Sequence, residues 1–167
     1  MELHIYRQGS SDRLVKDESK ESVLYFIESP YKWTYYPPKT VYRGEPAKAP
    51  EIATINRDKY FRPTYTIKFP GLSDVVMGCP STFGGKSKFT WRGKEFAWDC
   101  DTELVELSSG KVLARFDRRV FSMNKKGVMS IFGQGIEMVD VIALTGISMQ
   151  YHWEEKRLNR ARGKIGP

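Results

Sequence analysis

Much that would announce a function is missing from this sequence. It has two cysteines, Cys79 and Cys100, and their spacing fits neither a disulfide framework nor a metal-ligand pattern. It has two histidines, His4 and His152, near opposite ends of the chain. No Ser-His or Cys-His constellation of a known signature is present, so nucleophilic catalysis has no support and a non-enzyme is expected. Asn56, Asn124 and Asn159 all lack a Ser or Thr two positions on, so there is no glycosylation sequon. The opening Met1–Arg7 carries an acid at position 2 and lacks the apolar core of a secretory signal. These absences lead to an expectation of a cytoplasmic, reducing location, peripheral at a membrane or nuclear as variants. One disulfide between the two cysteines stays open, because sequence gives no Cα separation.

Several motifs begin and fail. Gly84-Gly85-Lys86-Ser87 suggests a phosphate-binding loop, but that pattern needs a Gly at position 80, where Pro stands, and a helix where residues 88–91 read as strand. Asp99, Asp101 and Glu103 alternate as calcium ligands would. An EF-hand then needs Gly where Leu104 stands and Glu where Gly110 stands. Hairpin-end carboxylates are the expectation there, with no metal and no cofactor. Gly133-Gln-Gly135 could offer backbone N–H groups to an anion; a strand-to-helix hinge is the simpler reading.

What is present reads as one globular domain over residues 1–167, long enough to bury about 70% of its unfolded surface. Lys and Arg number 27 against 20 Asp and Glu, a net charge of +7. That balance favours a polyanionic partner, or serves solubility alone. The N-terminal half alternates in short stretches at Glu2–Arg7, Val23–Ile27, Thr40–Tyr42, Glu51–Asn56 and Thr64–Phe69. The polar residues 8–22 are expected to form a mobile loop. An aromatic run, Tyr31, Trp33, Tyr35, Tyr36 and Tyr42, is split by Pro37-Pro38.

From residue 88 the pattern sharpens. Phe89 and Trp91, then Phe96 and Trp98, alternate on either side of Arg92-Gly93, which predicts a tight hairpin with aromatic pairs on one face. Leu104–Leu107 and Val112–Phe116 flank Ser108-Ser109-Gly110 as a second hairpin. Val120–Met123 and Val128–Phe132 flank Asn124–Gly127 as a third. Three successive hairpins predict an antiparallel sheet closing into a barrel or sandwich. Then the period changes. Residues 136–160 hold no proline, and Met138, Val139, Val141, Ile142, Ala143, Leu144, Ile147 and Met149 point in every direction of a helix. Asp140, Thr145, Gly146 and Ser148 interrupt this stretch, and it is short of the roughly 20 apolar residues of a membrane span, so a deeply buried helix is predicted.

Two basic stretches stand out. Lys86, Lys88, Arg92 and Lys94 have Glu95 as their one nearby acid, and Arg115, Arg118, Arg119, Lys125 and Lys126 surround Asp117. They read either as solvated outer strand faces or as a site for anionic phospholipid, where each cation near a bilayer contributes about 1 kcal/mol. The tail Glu154–Pro167 holds five cations against two acids, and 161–167 is expected to be a disordered basic tail. It suits a helix C-terminus or a polyanion. No nucleic-acid module is visible.

The residues Phe89-Thr-Trp91-Arg-Gly93-Lys-Glu-Phe96-Ala-Trp98, Val112–Phe116, Gly127–Ile131 and Met138–Ile147 resemble the tubby C-terminal-like superfamily. That group includes tubby proteins, phospholipid scramblases, LURP-one-related proteins and a family of small fungal proteins of unknown function. The fungal family is the nearest in character, through Asp140-Val-Ile-Ala-Leu-Thr-Gly146 and the basic tail. The resemblance covers about residues 88–160. It implies a mainly β fold, a closed antiparallel barrel of about twelve strands around one buried apolar helix. It also implies a non-enzymatic domain that binds phosphoinositide or another anionic membrane lipid. No residue of the tubby phosphoinositide site matches here, and neither the calcium-binding segment nor the cysteine-rich run of scramblases is present. A protein-interaction module is the alternative, motivated by the aromatic run; oligomeric state is open.

Overall fold

The computed structural model describes residues 1–9, 11–30, 37–45, 49–58, 63–80, 85–99, 102–118 and 124–161, the side chains beyond 157 excepted. Twelve strands run in chain order: β1 Glu2–Gln8, β2 Asp12–Lys16, β3 Val23–Glu28, β4 Lys39–Arg43, β5 Glu51–Asp58, β6 Thr64–Lys68, β7 Val75–Gly78, β8 Ser87–Trp91, β9 Lys94–Asp99, β10 Glu103–Glu106, β11 Val112–Asp117 and β12 Lys125–Ile131. A 3-10 turn over Gly133–Met138 leads into helix α1, Val139–Ala161. Each strand pairs antiparallel with the next, and β12 pairs with β1, so the meander closes into a barrel. The N-terminal half therefore completes the same barrel as the three predicted hairpins.

The β8–β9 hairpin forms as its residues dictate. Arg92 (φ 48°) and Gly93 (φ 75°) both take the left-handed conformation that a two-residue type I′ turn requires. Phe89 sits opposite Phe96 with ring centroids 5.3 Å apart on the inner face. The β10–β11 turn closes at Gly110, φ 68°.

α1 fills the lumen, and Val141 through His152 are all buried. Its Thr145-Gly146 pair is cut to the shape of Trp98. The Trp98 indole N–H donates to Thr145 Oγ1 at 3.1 Å, and a Cβ on Gly146 would lie 3.1 Å from the indole and 2.3 Å from Met129 Cε. Thr145 in turn donates to the Val141 carbonyl at 2.8 Å, so no polar atom of this contact is left unmet.

Three expectations need correction. The loop foreseen over 8–22 contains β2, which places Arg13 and Val15 on the inner face. It reads as polar because one of its two inward residues is an arginine. Of the turn foreseen at Asn124–Gly127, the last three residues open β12, Lys125–Ile131. Gly127 is needed there for close approach, since a Cβ would meet the Asp117 carbonyl at 2.6 Å and the Phe116 ring at 2.7 Å. Its foreseen partner Val120–Met123 lies outside the described residues, as do Tyr31–Tyr36 and 162–167 of the expected tail. Ala161, the first residue of that tail, closes α1.

Candidate functional site

The meander gives the barrel two distinct ends. Connections after even-numbered strands, and the 3-10 turn, gather where α1 enters; connections after odd-numbered strands gather where it leaves. The entry end is marked by Asp140, which accepts hydrogen bonds from Tyr25 and, at 2.5 Å, from Arg43. At the exit end the last turns of α1 still lie within the mouth. Arg13 meets Glu154 at 2.5 Å, Arg57 meets Glu155 at 3.0 Å, and Lys126 meets Glu154 at 3.5 Å.

Most of the sequence-predicted cations converge on the exit half. Lys86 pairs there with Asp99 at 2.8 Å and Arg115 with Glu103 at 2.6 Å. Lys125 lies 2.9 Å from His4 Nδ1, and Arg118 stands 5.5 Å above the Trp153 ring. Lys88 is exposed on β8 and lines a hollow of about 290 Å³ with Asp74 and Glu95. Arg92 and Lys94 are carried to the entry end instead, where Arg92 covers Trp91 and Lys94 pairs with Glu106 at 2.7 Å. Arg119 lies outside the described residues. The predicted carboxylate set is divided the same way: Asp99 and Glu103 hold Lys86 and Arg115, and Asp101 is outside the described residues.

Two of the functional candidates were invisible as clusters. Lys39 opens β4 with its side chain inside the mouth, 8% exposed, and its ammonium stands 4.6 Å above the Tyr151 ring. Arg57, near the end of β5, is 6% exposed. Neither belongs to the two basic stretches: Lys39 has only uncharged neighbours for three residues on each side, and Arg57 sits in a mixed stretch with Asp58 and Lys59. The signal that finds them is strand parity: Lys39 shares a face with buried Val41, and Arg57 with Ala53 and Ile55. His152 packs against Tyr65 and Trp153 and is 2% exposed. Burial pushes it down to about 4, and burial pushes the Glu155 carboxyl up to about 7 against the pull of Arg57 and Lys39.

Sorting the described charged side chains by barrel half gives twelve Lys and Arg against eight Asp and Glu at the exit, and seven against eleven at the entry. The net charge is thus positive at one end and negative at the other, although many individual cations sit in ion pairs. The apolar surface is divided too. Met1, Leu72, Val76, Leu107, Val112, Phe132 and Ile136, the exposed large hydrophobics among the described residues, all lie in the entry half.

Cys79 is buried, and Cys100 lies outside the described residues. No described helix is long and apolar enough to cross a membrane. Neither a curated protein nor a solved structure matches the chain. One family model does, over residues 9–155, which includes every strand from β2 onward and most of α1; the chain belongs to this family of unknown function (DUF6593).

Proposed function

We propose that this is a non-enzymatic domain that places the helix-exit end of its barrel against an anionic membrane surface, with phosphoinositide headgroups as its ligands. The observation that carries the reading is the separation of charge along the barrel axis. A surplus of four cations at one end, at about 1 kcal/mol each near an anionic bilayer, is enough to recruit and to orient a 19 kDa domain. Because ion pairs cancel much of the local charge, the end acts through its net field and not through independent contacts of its cations. Such a field is screened over about 8 Å at physiological salt, so it acts on a surface already close. The closed barrel around a helix is also the architecture that the tubby-like resemblance implies. Architecture alone does not fix function, and it enters only as support.

Co-sedimentation with vesicles tests this. Neutral lipid, phosphatidylserine and phosphoinositide are compared at two salt concentrations. Binding that prefers phosphoinositide and weakens with salt is the expected result. Binding to neutral vesicles, or none to any at physiological salt, counts against it.

A protein-interaction role has its own observation in the seven exposed hydrophobics of the entry half. The aromatic run that first motivated it is, apart from Tyr42, outside the described residues. Tyr42 itself stacks on Phe26 at 6.2 Å and donates to Glu28 at 3.2 Å, so its ring is engaged within the barrel wall. A pull-down that depends on Leu107 and Ile136 would favour this second role.

A further inference from the structure

The seams of the barrel are not equally closed. Neighbouring strands share between three and five ladder pairs at every seam but one. Between β7 and β8 a single pair forms among the described residues, Gly78 with Lys88. The next pair toward the entry end would join Val76 to Thr90. The Cys79 N–H donates to the Pro63 carbonyl at 3.0 Å, so by alternation Gly78 and Val76 turn their backbone groups toward β8. The two-residue β8–β9 turn closes on Trp91 and Lys94, so Lys88 and Thr90 turn theirs toward β7. Val76 and Thr90 thus face each other, yet the ladder stops before them. The hollow of about 290 Å³ lies over this gap. It is lined by Asp74 and Val76 from one side and by Lys88 and Thr90 from the other, and it reaches Phe89, a residue of the core.

The two ends of the seam are held differently. Toward the exit, Pro80 and Gly85 pack so closely that a Cβ on Gly85 would lie 2.4 Å from Pro80 Cβ, and the Lys156 ammonium donates to the Pro80 carbonyl at 2.9 Å. Toward the entry no ladder pair remains. There the Phe69 ring, just past β6, meets Trp91 with centroids 6.1 Å apart, and this aromatic contact holds the end shut. A segment with few backbone pairs opens at a lower free energy than its surroundings. We propose that the β7–β8 seam is a jaw, hinged at Gly78 and Lys88 and opening at its entry end while the other seams stay paired. β7 keeps four pairs to β6 and β8 keeps five to β9, so neither strand unfolds when the jaw opens. Val75 and Met77, both 0% exposed, then reach the surface beside Val76 and Leu107, which are exposed already. Opening therefore enlarges the apolar surface of the entry half and bares two strand edges. The jaw stands on the strand ladder and is independent of both functional readings.

Thiol labelling of the full chain in increasing urea tests it. In a background of Cys79→Ala and Cys100→Ser, one thiol is placed at the jaw by Val75→Cys or in a closed part of the wall by Val41→Cys. Val41 is as deeply buried, and its strand is paired on both sides, to Ile27 and to Ala53. Val75→Cys should label at least about tenfold faster than Val41→Cys without denaturant. Its rate should rise little with urea, because local opening exposes little surface, whereas Val41→Cys should follow global unfolding and rise steeply. Trp91→Leu should speed labelling by a larger factor at Val75→Cys than at Val41→Cys. If Val75→Cys does not fold, Met77→Cys reads the same opening. Equal rates with the same urea dependence in whichever jaw variant folds, or an equal effect of Trp91→Leu at both thiols, overturns the jaw.

Discussion

The two ends of the barrel solve the same problem with different chemistry. Each must tie α1 to the wall. At the entry end Asp140 takes Tyr25 and Arg43, and Arg43 is 44% exposed, so water shares the work. At the exit end Arg13 and Arg57 reach Glu154 and Glu155 from inside the mouth, almost wholly out of water. The difference follows from where the helix is when its sequence becomes charged. Its acids at 154 and 155 arrive before it has cleared the strands, so their partners must come from inward positions. The carboxylates differ little, Asp140 being 33% exposed and Glu154 31%, so the contrast lies in the arginines, which keep water at the entry rim and lose it in the exit mouth.

The section between the ends keeps them apart, and breaking it has the largest expected effect. Leu144 is fully buried at the middle of α1. Leu144→Lys should abolish folding, since a lumen-filling helix has no solvent side for the charge. A soluble, cooperatively melting variant would contradict the central-helix architecture.

Next, the ends should differ when one arginine is removed from each. Arg13→Met removes the buried partner of Glu154 and should cost about 2 kcal/mol, below the range for a fully buried pair because that carboxylate is 31% exposed and Lys126 still meets it. Arg43→Met should cost about 1 kcal/mol or less, as exposed pairs do. Denaturant titration of both checks this, and equal losses would erase the distinction.

The exit end should also carry an opposed pair of titrations. His152 falls from 6.5 to about 4 on folding, so between those values the unfolded chain binds the extra proton and stability rises with pH. Glu155 climbs from 4.5 to about 7, so the folded chain holds the extra proton and stability falls as pH rises through that window. In the wild type the two nearly cancel. His152→Gln leaves the Glu155 effect, so between pH 4.5 and 7 the variant should lose about 3 kcal/mol more than wild type does. Superimposable pH profiles would contradict the assignment. Smallest of all, Phe132→Ser and Ile136→Ser at the entry surface should change stability by about 0.5 kcal/mol or less.

How far these ends could be read beforehand depended on which residues pointed inward. The β8–β9 hairpin was legible because Phe89, Trp91, Phe96 and Trp98 alternate along it, and α1 because it is apolar on every side. β2 was not, because Arg13 occupies an inward position and hides the alternation; β7, four residues long, leaves too short a pattern. Gly127 misled because a glycine that allows close approach looks, in sequence, like a glycine that turns the chain. The basic clusters were legible as charge but not as geometry. Lys88 and Lys94 are six residues apart in sequence, yet β8 carries the chain across the barrel between them, leaving Arg92 and Lys94 on the acidic end. Lys39 and Arg57 belong to neither basic stretch, and strand parity alone brings them into the mouth.

The most direct measurement of the account compares charge reversal at the two ends. Lys88→Glu with Arg118→Glu alters the exit half, and Arg92→Glu with Lys111→Glu alters the entry half by the same amount of charge. Partitioning of both double variants onto phosphoinositide vesicles is measured beside wild type. The account predicts at least a tenfold loss for the exit pair and less than a twofold change for the entry pair. Equal losses, or a larger loss at the entry end, would contradict an orientation set by the barrel's charge separation.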